Sequence, residues 1–246
     1  MRLVLLRIGL LLLAALLTSE GLALLTGVSW DLALASTYSA LYFIPVNILC
    51  LLILRGRLHR EGTSLRALAG FDRSRLGRDL LLGLLWQFVL FVPFFLAISL
   101  TMLLLFGVSD YSGAFERTFA PDPGSLEAVP LPLFTAAAAL VALLFPITNA
   151  PTEELYYRGY AQGWLLRSGR AVATAIVVPS LAFGAQHILL APTAPAALVY
   201  FVAFTLWGLG AALIRQRTGR LMPLIFAHLF TNAFSATVPL VLVLSL

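Results

Sequence analysis

Three short segments in the second half of the chain place ionisable or amide side chains inside apolar stretches. They contribute Glu153, Glu154, Arg158, His187, His228 and Asn232. A carboxylate beside a neutral imidazole can take a proton from water, and a second imidazole with an amide can donate hydrogen bonds to an oxyanion. These residue types therefore indicate a peptide hydrolase, with Glu153, Glu154, His187, His228 and Asn232 as its candidate catalytic residues.

The spacing assigns roles within these segments. Residues four apart share a face of a helix, so Glu154 can pair with Arg158. Glu153 is rotated by about 100° and remains available for the reaction. The two histidine segments follow the same spacing, pairing Phe183 with His187 and His228 with Asn232. We therefore predict a structural ion pair at Arg158 and a reactive carboxylate at Glu153.

The same side chains suit a metal site. Two histidines and a carboxylate can bind Zn²⁺ and leave one coordination position open for water. Glu153, His187 and His228 are thus alternative zinc ligands, drawn from three separate helices. The His-Glu-x-x-His signature of soluble zinc peptidases is absent from the sequence. Spacing alone does not separate the two mechanisms, so no cofactor is required, and Zn²⁺ is the candidate if a metal is used.

The elements that position these residues belong in a bilayer. The chain has 246 residues, of which 61% are hydrophobic and 11% charged, and its mean hydropathy is +0.97. This leaves too little polar surface for a soluble globule. We expect an all-α polytopic bundle of about seven to eight transmembrane helices, since a span needs about 20 apolar residues. The clearest spans are 3–25, 33–54, 80–106, 131–149, 171–190, 196–214 and 221–246.

The arginines predict the orientation of these spans. Segment 55–79 carries seven arginines, whereas segment 108–130 carries four carboxylates and one arginine. The positive-inside rule places segment 55–79 in the cytoplasm. Alternation of the spans then places 168–170 and 215–220, which are also rich in arginine, on the same side. We expect a multi-pass protein of a bacterial or archaeal cell membrane.

One membrane domain is expected, with two parts. Residues 1–130 supply N-terminal helices of generic apolar character and the Arg-rich loop, and residues 131–246 form the catalytic core. The net charge of +5 is explained by topology, so membrane lipids and a peptide or protein substrate are the expected partners, and nucleic acid is not.

Two local details concern the depth of the site. Pro146 and Pro151 predict a kink in the fourth span, with Thr152 capping a new helical segment so that the glutamate pair opens a helix inside the membrane. Counted from the turn at 168–170, Glu153 and His187 lie at similar depths of about 22 to 26 Å. By the same rise His228 lies only about 13 Å from its own turn, so it needs tilt or a longer stem to join them.

At these motifs the sequence resembles the CPBP family, the CAAX proteases and bacteriocin-processing membrane proteins also called the Abi or CAAX-protease self-immunity family. The pattern of a Glu pair with a following Arg, then Phe-x-x-x-His, then His-x-x-x-Asn is filled at every position, over about 131–235. The resemblance implies an intramembrane endopeptidase of glutamic or metallo type. In it Glu153 and His187 would activate water, and His228 and Asn232 would bind the oxyanion.

The family resemblance leaves the substrate open. Eukaryotic relatives cleave prenylated CAAX proteins, so a membrane-associated and lipidated protein is one expected substrate class. Two alternatives remain. A non-catalytic scaffold or regulator in immunity or signalling would use the same fold, and intramembrane Glu and His residues also mark transporters and proton relays.

Overall fold

The computed structural model describes residues 1–120 and 131–244. The described residues are mostly helical, and none of them lies in a strand. The helices are α1 (Arg2–Thr26), α2 (Ser39–Arg60), α3 (Leu65–Ala69), α4 (Leu76–Phe106), α5 (Tyr111–Phe119), α6 (Leu131–Glu154), α7 (Gln162–Arg167), α8 (Val172–His187), α9 (Ala194–Thr218) and α10 (Met222–Leu244). A π-helical segment, Leu155–Ala161, joins α6 to α7 without a break.

Six helical segments of the described chain are long and apolar enough to cross a membrane, and the apolar stretch Met222–Val238 of α10 is a shorter seventh. Their outward faces carry large apolar side chains, such as Leu17, Phe88 and Leu104. In water such faces would be costly, whereas lipid tails solvate them. The predicted polytopic helical bundle is therefore confirmed, and the chain is an integral, multi-pass membrane protein.

The Arg-rich segments gather at one end of the bundle. Arg220, just before α10, forms an ion pair with Asp79 at the start of α4, with Nη2 2.5 Å from Oδ2. Met1 and Arg2 line one cavity together with Arg57 near the end of α2. We call this region, made of residues 1–2, 55–79, 167–171 and 215–221, the Arg-rich end. Its common location agrees with alternating spans, and its cytoplasmic side stays a prediction from the charges.

The expected interruption at Thr152 is wrong. α6 continues through Pro146 and Pro151 to Glu154, and the Thr152 hydroxyl donates to the carbonyl oxygen of Thr148 at 2.6 Å instead of capping a new helix. A proline removes only one helical hydrogen bond, a loss that packing against neighbouring helices can offset. The glutamate pair therefore lies at the end of a continuous α-helix, where the chain widens into the π-helical segment.

The site region is the most enclosed part of the bundle. α6 packs against α10 and α2, while α9 packs against α8 and α4. All seven residues of the π-helical segment are buried. A β-carbon on Gly159 would lie 3.2 Å from side-chain atoms of both Leu68 and Leu221, so glycine lets these side chains approach the helix closely. The tight packing fixes the direction in which the adjacent carboxylates point.

Candidate active site

Glu153 is fully buried, and its two carboxylate oxygens have different surroundings. Its Oε1 accepts hydrogen bonds from Arg7 Nη2 at 3.0 Å and from Gln186 Nε2 at 2.6 Å. Its Oε2 has no hydrogen-bond partner among the described residues and lies 3.3 Å from His228 Nε2. One oxygen therefore anchors the side chain, and the other remains available to accept a proton.

His228 lies between the two glutamates. Glu154 Oε1 is 2.9 Å from both His228 Nδ1 and Arg158 Nη1. A carboxylate oxygen that accepts from both requires a proton on Nδ1 of His228. The imidazole is thereby oriented with Nε2 toward Glu153, and the predicted pair of Glu154 with Arg158 is present as a support for that orientation.

The depth gap predicted for His228 is absent. Leu221 and Met222, at the start of α10, are buried, so α10 begins inside the bundle instead of at its surface. His228 lies six residues after Met222, about 9 Å along the helix, and its ring nitrogens lie 3.3 Å from Glu153 and 2.9 Å from Glu154. The simple count along the sequence failed because it started every helix at the same height.

His187 presents one ring nitrogen to the protein and one to the site. Its Nδ1 lies 2.7 Å from the carbonyl oxygen of Phe183, and because a carbonyl oxygen only accepts, Nδ1 carries the proton. In the neutral ring Nε2 is then an acceptor. The ring also stacks on Phe204, with centroids 3.6 Å apart and planes 9° from parallel. The imidazole is thus fixed in orientation before any substrate arrives.

Asn232 lies one helical turn beyond His228. Its Nδ2 is buried and has no hydrogen-bond partner among the described residues. Asn232, His187 and Asn149 line a cavity of about 610 Å³ whose other walls are largely apolar. An unpartnered amide donor at such a wall can stabilise negative charge on a bound carbonyl oxygen. All six predicted side chains thus occupy one region, with Glu153 and His228 in contact and Asn232 beside the cavity.

Arg7 completes the site from the N-terminal half of the chain. Its guanidinium is fully buried and donates to Gln186 Oε1 at 3.0 Å, to Asn47 Oδ1 at 2.7 Å and to Glu153. The expectation that the first three spans are generic apolar helices is therefore wrong for α1 and α2. An arginine and an asparagine within apolar runs, at positions 7 and 47, are the sequence signals that could have identified them.

A hydrogen-bond network surrounds Arg7. Asn47 Nδ2 donates to Asn149 Oδ1 at 3.1 Å, and the Tyr157 hydroxyl donates to Gln186 Oε1 at 2.7 Å. Gln186 therefore joins Arg7, Tyr157 and Glu153. A network in which the buried donors find acceptors rigidifies the groups it contains, and here it holds one carboxylate oxygen of Glu153 in place.

The predicted zinc ligands can be tested for fit. Among residues 1–120 and 131–244, no group of three or more His, Cys, Asp or Glu side chains lies in positions that could hold a metal ion. As placed, Glu153, His187 and His228 therefore do not form a preassembled zinc site, and we derive no step through a metal. The donor types remain those that Zn²⁺ binds.

Residues 135–234 match the family model described as Rce1-like, Type II CAAX prenyl endopeptidase. The match includes the six predicted side chains of the site, whereas Arg7 and Asn47 lie outside it. No curated protein and no solved structure matched this chain.

Proposed function

We propose that this chain is an intramembrane endopeptidase that hydrolyses a membrane-associated peptide or protein, a function supported by the match of residues 135–234 to the Rce1-like family model. The observation that carries the proposal is a set of three groups in one site that have no hydrogen-bond partner among the described residues. They are Oε2 of Glu153 and Nδ2 of Asn232, together with Nε2 of His187, whose other nitrogen is committed to Phe183. Two accept and one donates, as water activation and oxyanion binding require.

In this mechanism Glu153 is the general base. Water loses a proton to Oε2 as its oxygen forms a bond to the scissile carbonyl carbon, and His187 Nε2 accepts a hydrogen bond that orients the water. The carbonyl oxygen becomes negative and receives hydrogen bonds from Asn232 Nδ2 and from His228 Nε2, which requires His228 to carry a proton on both ring nitrogens because its Nδ1 proton is committed to Glu154. When the carbon–nitrogen bond breaks, the proton held by Glu153 passes to the leaving nitrogen. Arg7 keeps Oε1 engaged throughout.

A zinc-dependent reaction is the other mechanism that these donors suit. As placed, Glu153, His187 and His228 form no metal site, so they would have to rearrange to hold Zn²⁺, which would then polarise the carbonyl and lower the pKa of a bound water. The rest of the chain would keep the same tasks, with Arg7 and Gln186 orienting Glu153 and Phe204 orienting His187. Chelation distinguishes the two mechanisms.

The test is cleavage of quenched fluorogenic peptides by the detergent-purified protein. Glu153→Gln and His187→Ala are expected to abolish most of the activity. Glu116→Gln and His59→Ala replace the same residue types at exposed positions and serve as matched controls that keep it. Sensitivity to a chelator, reversed by Zn²⁺, would favour the metal mechanism. Cleavage that survives in both site variants would contradict the proposal, because this site would then not perform the hydrolysis.

A further inference from the structure

The cavity beside the site extends toward one end of the bundle only. Along α2 and α6 its lining residues all precede the polar residue of the site, with Ser39, Ala40 and Phe43 before Asn47, and Val141, Phe145 and Asn149 before Glu153. Both helices run toward the Arg-rich end, so these residues lie on the opposite side of the site. Ser39 is eight residues from Asn47, or about 12 Å by helical rise.

The helices that start at the Arg-rich end indicate the same direction for the cavity. α8 and α10 start at the Arg-rich end. The cavity-lining residues of these two helices are either residues of the site or residues that come after the site in the chain. At the end of α8 the cavity includes His187, and in the 3-10 turn that follows it includes Leu190. On α10 it includes Asn232, Ser235 and Ala236, all after His228. Four helices of both orientations thus agree that the cavity leads away from the Arg-rich end.

The Arg-rich side of the site is filled. The π-helical segment directly follows the glutamates and is buried along its whole length. Leu221, Met222 and Leu224 precede His228 in the chain and are buried, and side-chain atoms of Leu68 and Leu221 lie 3.2 Å from where a β-carbon on Gly159 would be. Among the described residues, packed side chains therefore separate the site from the Arg-rich end.

The charges identify the membrane faces. Of the sixteen arginines, two, Arg7 and Arg158, are buried in the site and one, Arg117, follows α4 at the other end. The remaining thirteen belong to the Arg-rich end or to the helix termini that reach it. Such an asymmetry is what the positive-inside rule associates with the cytoplasm. The cavity then leads to the extracytoplasmic face.

We propose that this enzyme takes its substrate from the extracytoplasmic side, as an apolar stretch of an exported peptide or of an extracytoplasmic segment of a membrane protein. The proposal rests on the peptidase function above. The walls of the cavity are mostly apolar and aromatic, including Phe43, Phe94, Phe145 and Phe204, with the imidazole and amide groups at its inner end and the hydroxyls of Ser36 and Ser39 farther out. An extended peptide with apolar side chains can fill such walls and present its backbone carbonyl to Asn232.

Thiol labelling tests the direction without relying on activity. Cys50 is the only cysteine, so Cys50→Ala gives a background for single cysteines. Ser235→Cys introduces a thiol at an exposed position of the cavity wall, and Ser168→Cys introduces its matched control at the Arg-rich end. In intact cells a membrane-impermeant maleimide should label the cysteine at 235, and label the one at 168 only after permeabilisation. The reverse pattern would overturn the proposal.

Sided proteolysis tests the substrate. A membrane-impermeant quenched peptide with an apolar centre and charged ends is added to right-side-out and to inverted membrane vesicles that contain the protein. Vesicles with the Glu153→Gln variant are the inactive control. Cleavage is expected in right-side-out vesicles, and in inverted vesicles only after detergent opens them. Cleavage in sealed inverted vesicles alone would overturn the extracytoplasmic proposal but leave the peptidase function intact. Absence of cleavage in detergent would count against the peptidase function itself, while labelling still decides the side.

Discussion

The contact between Arg7 and Glu153 is the most consequential at the scale of single residues. Both side chains are fully buried, where an isolated charge is costly and pairing with further hydrogen bonds offsets the loss of water. Asn47 and Gln186 supply those further bonds to the guanidinium. The reactive carboxylate of the second half of the chain therefore depends on a cation from its first helix.

Two substitutions of Arg7 distinguish the role of its positive charge from the role of its hydrogen-bond geometry. Arg7→Met leaves Glu153 buried without its cation and is expected to cost about 3 to 5 kcal/mol of stability. Arg7→Lys keeps the charge but cannot reach Asn47, Gln186 and Glu153 together, so it should keep the fold and lower kcat by about 10²-fold through misplacement of the carboxylate. Thermal unfolding in detergent and steady-state kinetics measure the two effects, with Arg2→Lys as an exposed control. A Lys variant with normal kcat would exclude a positioning role.

Asn232 is expected to matter for rate and little for stability. Its Nδ2 has no hydrogen-bond partner among the described residues, so Asn232→Ala removes no hydrogen bond of that group within the described part of the chain. Loss of an oxyanion donor lowers kcat by about 10²- to 10³-fold. Asn47→Ala is the contrasting variant, because it removes hydrogen bonds to Arg7 and Asn149 and should lower the melting temperature. Equal losses of stability in both variants would contradict this assignment.

At the scale of elements, the close approach of α8 to α9 fixes His187. A β-carbon on Gly184 would overlap Thr205 and the carbonyl oxygen of Phe201 on α9. Gly184→Ala is therefore expected to push the helices apart, cost about 1 to 3 kcal/mol, and move His187 away from its stack on Phe204. Gly56→Ala on α2, where a β-carbon meets nothing within 4 Å, is the control and should be neutral or slightly stabilising. Unfolding and activity assays distinguish the two variants, and a Gly184→Ala protein with normal stability and activity would contradict the packing argument.

The π-helical segment has a comparable role for α6. Such segments insert an extra residue into a helix and are frequent at functional sites. Here the segment begins directly after Glu154 and is buried throughout, and Tyr157 within it reaches Gln186. The widened turn therefore connects the glutamate pair to the network around Arg7.

At the scale of the whole molecule, the two halves of the chain meet at both the site and the Arg-rich end. Asp79 is buried, and Arg220 contacts both of its oxygens, linking α4 to the connection that precedes α10. Asp79→Ala and Arg220→Ala should each destabilise the protein, and the double variant by less than the sum, with a coupling of about 0.5 to 3 kcal/mol. A double-mutant cycle of unfolding free energies in detergent measures this. Additive effects would show that the pair does not tie the halves together.

The sequence by itself determined the solvent and the local geometry. Apolar composition required a bilayer and helices, because backbone groups in lipid must be satisfied within the chain. Spacing within one turn predicted the pair of Glu154 with Arg158, since residues four apart meet whatever the rest of the fold does. The division at residue 130, the absence of nucleic-acid partners and the cellular source stay predictions.

Only the tertiary structure decided what meets across the bundle. Arg7 and Glu153 are 146 residues apart, and no local periodicity specifies which helices become neighbours or at what height each one starts. The same limit explains the continuous helix at Thr152 and the position of His228 between two carboxylates. The direction of the cavity also depends on packing, because filling one side of the site and leaving the other open is a property of all the helices together.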